Sequence, residues 1–170
     1  SNSALTSLGP FNIQTSLKYG DSVLKKFDDF YIESIPQSST KKITYTYTFD
    51  KYAGPGNYYV ETIIKDENNM MKGFKISDPI NMNEVSKLIQ EKSTSYSLVT
   101  QTITIKIKNE GNILASNFYV TESVPQFVKN LFYPQVEPVK EESKDGRVVY
   151  YWLIDSLPPG QEKTIKYEIR

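Results

Sequence analysis

The stretch Trp152-Leu-Ile-Asp-Ser-Leu-Pro-Pro-Gly-Gln-Glu-Lys-Thr-Ile-Lys-Tyr-Glu-Ile169 decides the reading of this chain, because Phe30-Tyr-Ile-Glu-Ser-Ile-Pro-Gln-Ser-Ser-Thr-Lys-Lys-Ile-Thr-Tyr-Thr-Tyr47 repeats it without a gap. Ile32 matches Ile154, Ser34 matches Ser156, Pro36 matches Pro158, Lys41 matches Lys163, Ile43 matches Ile165 and Tyr45 matches Tyr167. A unit used twice implies tandem modules. Each copy reads as a strand, a proline turn and a second strand with alternating apolar residues, a hairpin in outline.

Working outward, the pattern predicts strands almost everywhere. Phe11-Asn-Ile-Gln-Thr-Ser-Leu17 alternates apolar and polar residues, and residues 22–29 suit a short strand or one helical turn. Lys42-Ile-Thr-Tyr-Thr-Tyr-Thr-Phe49 is the clearest predicted strand, with Ile43, Tyr45, Tyr47 and Phe49 on one face and threonines on the other. Ala53-Gly-Pro-Gly56 turns the chain into a strand over 57–65, Asp66-Glu-Asn-Asn69 turns it again, and Met70 to Ser77 returns. Residues 79–95 join the modules, with a short helix or a joining strand over 83–91.

Past the join, Val99, Ile103, Ile105 and Ile107 share one parity of a strand over 97–108, and Asn109-Glu-Gly-Asn112 is a turn. A strand over 117–122, an irregular stretch from Val124-Pro125 to Tyr133-Pro134, a charged loop over 137–146 and a strand over 147–154 lead into the second copy. Thirteen Tyr and eight Phe among many Thr, Ile and Val suit strands. The expectation is an all-β chain of two domains, 1–83 and 84–170, the first shortened at its N-terminus.

Composition narrows the chemistry. Twenty Lys and Arg balance twenty Asp and Glu, and the basic residues are scattered, so the electrostatic footprint of a nucleic-acid binder is missing. With no Cys and no His, thiol and imidazole catalysis and nearly all transition-metal ligands are excluded. No apolar run approaches the length of a membrane span and no signal peptide opens the chain. Ser1-Asn2 reads as an expression remnant, and Arg170 ends a strand-like pattern, so a longer protein with its own anchor is expected.

Ser22-Val-Leu-Lys25 and Ser38-Ser-Thr-Lys41 have the Ser-x-x-Lys spacing of some acyl-enzymes, which requires the lysine on the same helical face and further partners. The carboxylate pairs Asp28/Asp29 and Glu141/Glu142 are sequence neighbours, which does not make the opposed acids of a cleft. Asp66-Glu-Asn-Asn69 offers oxygen ligands for calcium, yet it lacks the later Gly and Glu of a calcium loop and reads as a hairpin turn. Tyr150, Tyr151 and Trp152 could stack on a sugar, although Trp152 has core parity. No Asn-x-Ser/Thr sequon occurs.

Ile105-Lys-Ile-Lys-Asn-Glu-Gly-Asn-Ile-Leu-Ala-Ser-Asn-Phe-Tyr-Val120, Val124-Pro125, Trp152-Leu-Ile, Leu157-Pro-Pro-Gly160 and Ile165-Lys-Tyr167 together resemble the immunoglobulin-like conserved repeat of archaeal and bacterial cell-surface proteins. Ala53-Gly-Pro-Gly-Asn-Tyr58 makes the first module look like a sister type in archaeal S-layer-related repeats. In this copy Ser38 replaces the glycine found at Gly160, and the Asn-x-Gly strand pair that should precede Phe11 is absent.

The resemblance implies two tandem immunoglobulin-like β-sandwiches in an extracellular or cell-surface setting. The expected role is a non-catalytic spacer or adhesion-type module, with a carbohydrate-binding module or an accessory domain of a secreted or envelope enzyme as the alternative. No catalytic residue, cofactor or metal site is assigned. Partners are expected to be protein or envelope polymer, not nucleic acid, with no membrane insertion by this segment and an edge-strand homodimer as a further possibility.

Overall fold

The computed structural model describes residues 7–170. The chain is all-β with several sheets and a sandwich-like fold; its one helical element among the described residues is a 3-10 helix at Gln126–Leu131. It divides into two compact units, one comprising the described residues up to Asp50 with Pro55–Asn83, the other Lys51–Gly54 with Glu84–Arg170.

The first unit is built on one antiparallel sheet. Its long strands are β1 (Phe11–Tyr19) and β4 (Gly56–Asp66), paired from Phe11↔Asp66 to Tyr19↔Tyr58. Strands β2 (Ser22–Lys26) and β3 (Phe30–Ile32) pair with β1, and β5 (Met71–Ile76) and β6 (Ile80–Met82) pair with β4. Alternation places Leu17, Tyr58 and Ile32 on one face, where they are buried.

Residues 42–49 lie over this face, and here the sequence expectation needs correction. The segment keeps its alternation, with Ile43, Tyr45 and Phe49 half-buried between exposed threonines, but it forms no ladder with any described residue. Its rings do the packing: Tyr45 lies 4.8 Å from Phe27, and Phe49 lies 4.9 Å from Tyr58. Period-two alternation reports how side chains divide between two environments. It does not report whether the backbone has a neighbour.

The second unit has two sheets. One runs β10 (Phe132–Pro134), β13 (Glu162–Ile169), β8 (Gln101–Asn109), β7 (Leu88–Tyr96); the other runs β11 (Lys140–Lys144), β12 (Arg147–Leu157), β9 (Ala115–Pro125). Ile103, Ile105 and Ile107 from β8 and Ile165 and Tyr167 from β13 meet Val120 and Val124 from β9 and Val148, Tyr150, Trp152 and Ile154 from β12 in one core. Phe132 stacks on Tyr150 with centroids 4.0 Å apart and planes 6° apart. The Trp152 indole donates to the Val136 carbonyl at 2.8 Å, so its polar atom is satisfied while its rings fill the core.

Several local expectations change. The region 83–91 contains no helix; strand β7 begins at Leu88 and runs to Tyr96. The strand expected from 97 begins at Gln101, because Ser97 donates its backbone N–H to Thr100 and turns the chain, leaving Val99 81% exposed. The charged loop contains β11, an edge strand exposed on both faces and therefore without alternation. The second repeat copy is no hairpin, since β12 and β13 sit in different sheets and Pro158-Pro159-Gly160 carries the chain from one to the other.

The two proline turns share their geometry. Gln161 donates its N–H to the Pro158 carbonyl at 3.1 Å, and Ser39 donates to Pro36 at 3.1 Å. Gly160 has φ 75° and Ser38 has φ 64°. The left-handed conformation that suits glycine is therefore occupied by serine in the first copy.

Candidate functional site

The residues singled out for chemistry disperse. Ser22 and Lys25 stand on β2, where positions three apart face opposite sides, and both are exposed. Ser38 lies in the proline turn and Lys41 is exposed beyond it. Asp28 and Asp29 are both exposed; Asp29 accepts from Gln14 Nε2 at 2.9 Å and Asn12 Nδ2 at 3.2 Å, bonds that hold its carboxyl below the usual carboxylate range. Glu141 pairs with Lys129 at 2.7 Å, and Glu142 accepts from the Tyr151 hydroxyl at 2.7 Å.

Asp66 spends its carboxylate on its own turn. Oδ1 accepts from the backbone N–H groups of Met70 and Asn68, each at 2.9 Å, and Oδ2 pairs with Lys72 at 3.0 Å. The Met70 N–H does most to keep this carboxyl below its ordinary range. No cluster of three or more acidic side chains able to hold a metal occurs among the described residues.

The aromatic candidates separate by face. Trp152 and Tyr150 are buried in the core, while Tyr151 points outward beside Tyr119, which is 56% exposed. The Tyr119 and Tyr151 rings lie 6.1 Å apart at 90°, so they meet edge to face and do not form a flat platform. Lys140 sits 5.1 Å over the Tyr151 ring, and Leu153, opposite Tyr119 in the ladder, completes a small amphipathic patch. A shallow cleft of about 450 Å³ opens next to this patch, lined by Val136, Val139, Trp152, Leu153, Ile165, Lys163 and Asp155.

The best-built polar arrangement lies at Asn109–Asn112, which the sequence marked only as a turn. Asn109 is 1% exposed; its Nδ2 donates to the carbonyls of Ile113 and Leu157 at 2.8 Å each, and its Oδ1 accepts from the Gly111 N–H at 2.9 Å. Glu110 gathers Lys108 at 3.3 Å, Lys87 at 3.4 Å and Lys51 at 3.6 Å, with the Lys108 hydrogen bond foremost in lowering its pKa. A Cβ on Gly111 would fall 2.1 Å from the Val85 carbonyl oxygen. Asn112 Oδ1 accepts from the Val85 N–H at 2.7 Å, and Nδ2 donates to the Ala53 carbonyl at 3.1 Å.

A second arrangement crosses the sandwich. Glu122 stands at core parity between Val120 and Val124 and accepts from Lys92 Nζ at 2.6 Å. The Tyr167 hydroxyl also donates to it, and burial first, then the Glu122 charge, pushes the Tyr167 pKa far up. Glu122 thus joins β9 of one sheet to β7 and β13 of the other. The only sequence signal was a carboxylate at an inward position of a strand.

These features define a class, an all-β sandwich-like protein whose buried polar groups serve its framework. No family model matches the chain, and no match was found among curated protein sequences. Among solved structures it is similar to part of the exo-chitosanase CsxA of Amycolatopsis orientalis. For the complex with PNP-beta-D-glucosamine the TM-score is 0.27 at 10% identity, over 99% of this chain and 22% of that one. For a second structure of the same enzyme the TM-score is 0.27 at 11% identity, over 96% and 21%. The chain spans about a fifth of the length of those chains.

Proposed function

We propose that this chain is a non-catalytic structural or interaction module of a cell-surface or extracellular protein, composed of two immunoglobulin-like β-sandwich repeats related to archaeal S-layer-type domains. The observation that supports this reading most is the use made of buried polar groups. Thr15, Asn109, Asn112 and Glu122 are the buried polar side chains among the described residues, and each lies against a polar partner in its own framework. Active sites need polar groups held ready for a substrate. Here the buried ones hold strands and turns together, as a rigid spacer requires.

A second reading, a carbohydrate-binding module or accessory domain of an envelope or secreted enzyme, draws on the exposed Tyr119–Tyr151 pair with Lys140 and Glu142 beside it. Calorimetric titration with a panel of envelope polysaccharides and soluble glycans separates the two. Saturable heat that disappears in both Tyr119→Ala and Tyr151→Ala establishes the carbohydrate reading. Silence across the panel, with both variants folded, leaves the spacer or protein-interaction reading in place.

A further inference from the structure

We infer that residues 42–49 of the first unit form an acceptor site for one additional β-strand, supplied by a separate polypeptide and alternating β-branched apolar with polar side chains as β8 does. This goes beyond the proposed function and stands whether or not the module binds glycans.

The argument starts from the repeat. Ile32 in β3 pairs with Phe11 in β1, and its counterpart Ile154 in β12 pairs with Phe118 in β9, so the matched residues have matched neighbours. The two proline turns carry the same 3.1 Å hydrogen bond and the same left-handed residue, as described for Ser38 and Gly160. Beyond the turn, the second copy becomes β13, whose inward Ile165 and Tyr167 lie opposite Ile105 and Ile103 of β8. Ile43 and Tyr45 hold the corresponding positions in the first copy, and among the described residues nothing takes the place of β8.

The segment is nevertheless held against the unit by its rings and keeps most of a strand's alternation. Phe27, just past β2, and Tyr58 of β4 hold Tyr45 and Phe49, so that Ile43, Tyr45 and Phe49 are half-buried while the threonines face outward. Extended backbone needs partners for its N–H and C=O groups, and a strand without a neighbour is a template for one. The Tyr45 hydroxyl oxygen is the only buried side-chain polar atom without a hydrogen-bond partner among the described residues. Tyr47, 39% exposed, leaves apolar surface for the incoming strand to cover. Recognition would combine ladder hydrogen bonds with inward Ile or Val side chains packing beside Ile43, Tyr45 and Tyr47.

The test uses the full chain and a blocked synthetic peptide with the sequence of residues 101–109, Gln-Thr-Ile-Thr-Ile-Lys-Ile-Lys-Asn. Amide hydrogen exchange is followed by NMR, alongside light scattering. Without peptide, amides 42–49 exchange at rates near those of an open strand; saturating peptide slows them by roughly tenfold or more. A peptide with Pro in place of Ile105, and the variant Thr44→Pro/Thr46→Pro of the chain, each abolish the effect, while exchange at β8 in the second unit is unchanged. Three results overturn the inference: amides 42–49 already as protected as those of β1 without peptide, no slowing at saturating peptide, or a dimer in light scattering whose formation protects 42–49, which would assign the edge to a second copy.

Discussion

Replacing Asn109 by Asp changes one atom type and little volume, yet it reverses the hydrogen bonding of the corner at which β8 ends. The native Nδ2 donates to two carbonyls, Ile113 and Leu157, at 2.8 Å each, inside a site that is 1% exposed. An ionised carboxylate there loses both bonds and faces two carbonyl oxygens with a charge. Two lost bonds at about 1 kcal/mol each, plus the burial of an unpaired charge, give a loss of about 3–5 kcal/mol at pH 7. Asn109→Ala loses three bonds but buries no charge, and the same reasoning gives about 2–4 kcal/mol. The ranking, Asp below Ala, is the informative result.

The pH dependence sharpens it. The introduced carboxyl is pushed above its unfolded value of about 3.9 by burial and by the facing carbonyls. Stability of Asn109→Asp is then highest where the group is protonated and falls as pH rises through the raised pKa; Asn109→Ala shows no such recovery in acid. Urea unfolding followed by the emission of Trp152, the only tryptophan, reads the second unit directly. If Asn109→Asp matches Asn109→Ala at both pH 7 and pH 5, the hydrogen-bonded pin is not what holds this corner.

Three other expectations follow from named contacts. Ser38→Gly relieves a left-handed backbone at a non-glycine residue and should raise the stability of the first unit by about 0.5–1 kcal/mol, read by calorimetry; a loss would show that the serine side chain matters more than its φ. Lys92→Met leaves Glu122 without its cation and should cost about 1–2 kcal/mol, discounted for the partial exposure of Lys92. Adding Glu122→Met should restore most of that loss in chemical unfolding, and a double variant weaker than the single would sink the account. Burial and the Glu122 charge raise the Tyr167 pKa above the ordinary tyrosine value of about 10, so its contribution is fully present below pH 10 and is lost as pH rises beyond it. Spectrophotometric titration should show a tyrosine fraction that ionises only as the fold is lost.

What could be read from the sequence was whatever alternation encodes. Ile103, Ile105 and Ile107, and Val148, Tyr150, Trp152 and Ile154, declared their faces because each strand has one dry and one wet side. Strand β11 declared nothing, since an edge strand with both faces in water needs no pattern. Residues 42–49 had the pattern without a ladder to any described residue. The Glu122–Lys92 contact spans thirty residues of sequence, and nothing local announces such a pair. Asn109 continued the parity of Ile103, Ile105 and Ile107 inward, a signal of burial that its turn-forming reputation obscured.

The order of strands in the second unit bears on how it would carry a load. Strands β7 and β13 flank β8 and both run antiparallel to it, so they run parallel to each other. Leu88 pairs with Asn109 at one end of β8, whereas Ile169 pairs with Gln101 at the other. Tension applied between Leu88 and Ile169 therefore pulls lengthwise, sliding strands past one another with all the hydrogen bonds of both ladders sharing the force. Tension between Tyr96 and Ile169, which sit at the same end, would instead peel the bonds one by one. A tether entering at β7 and leaving after β13 draws on the stiff direction of this sheet.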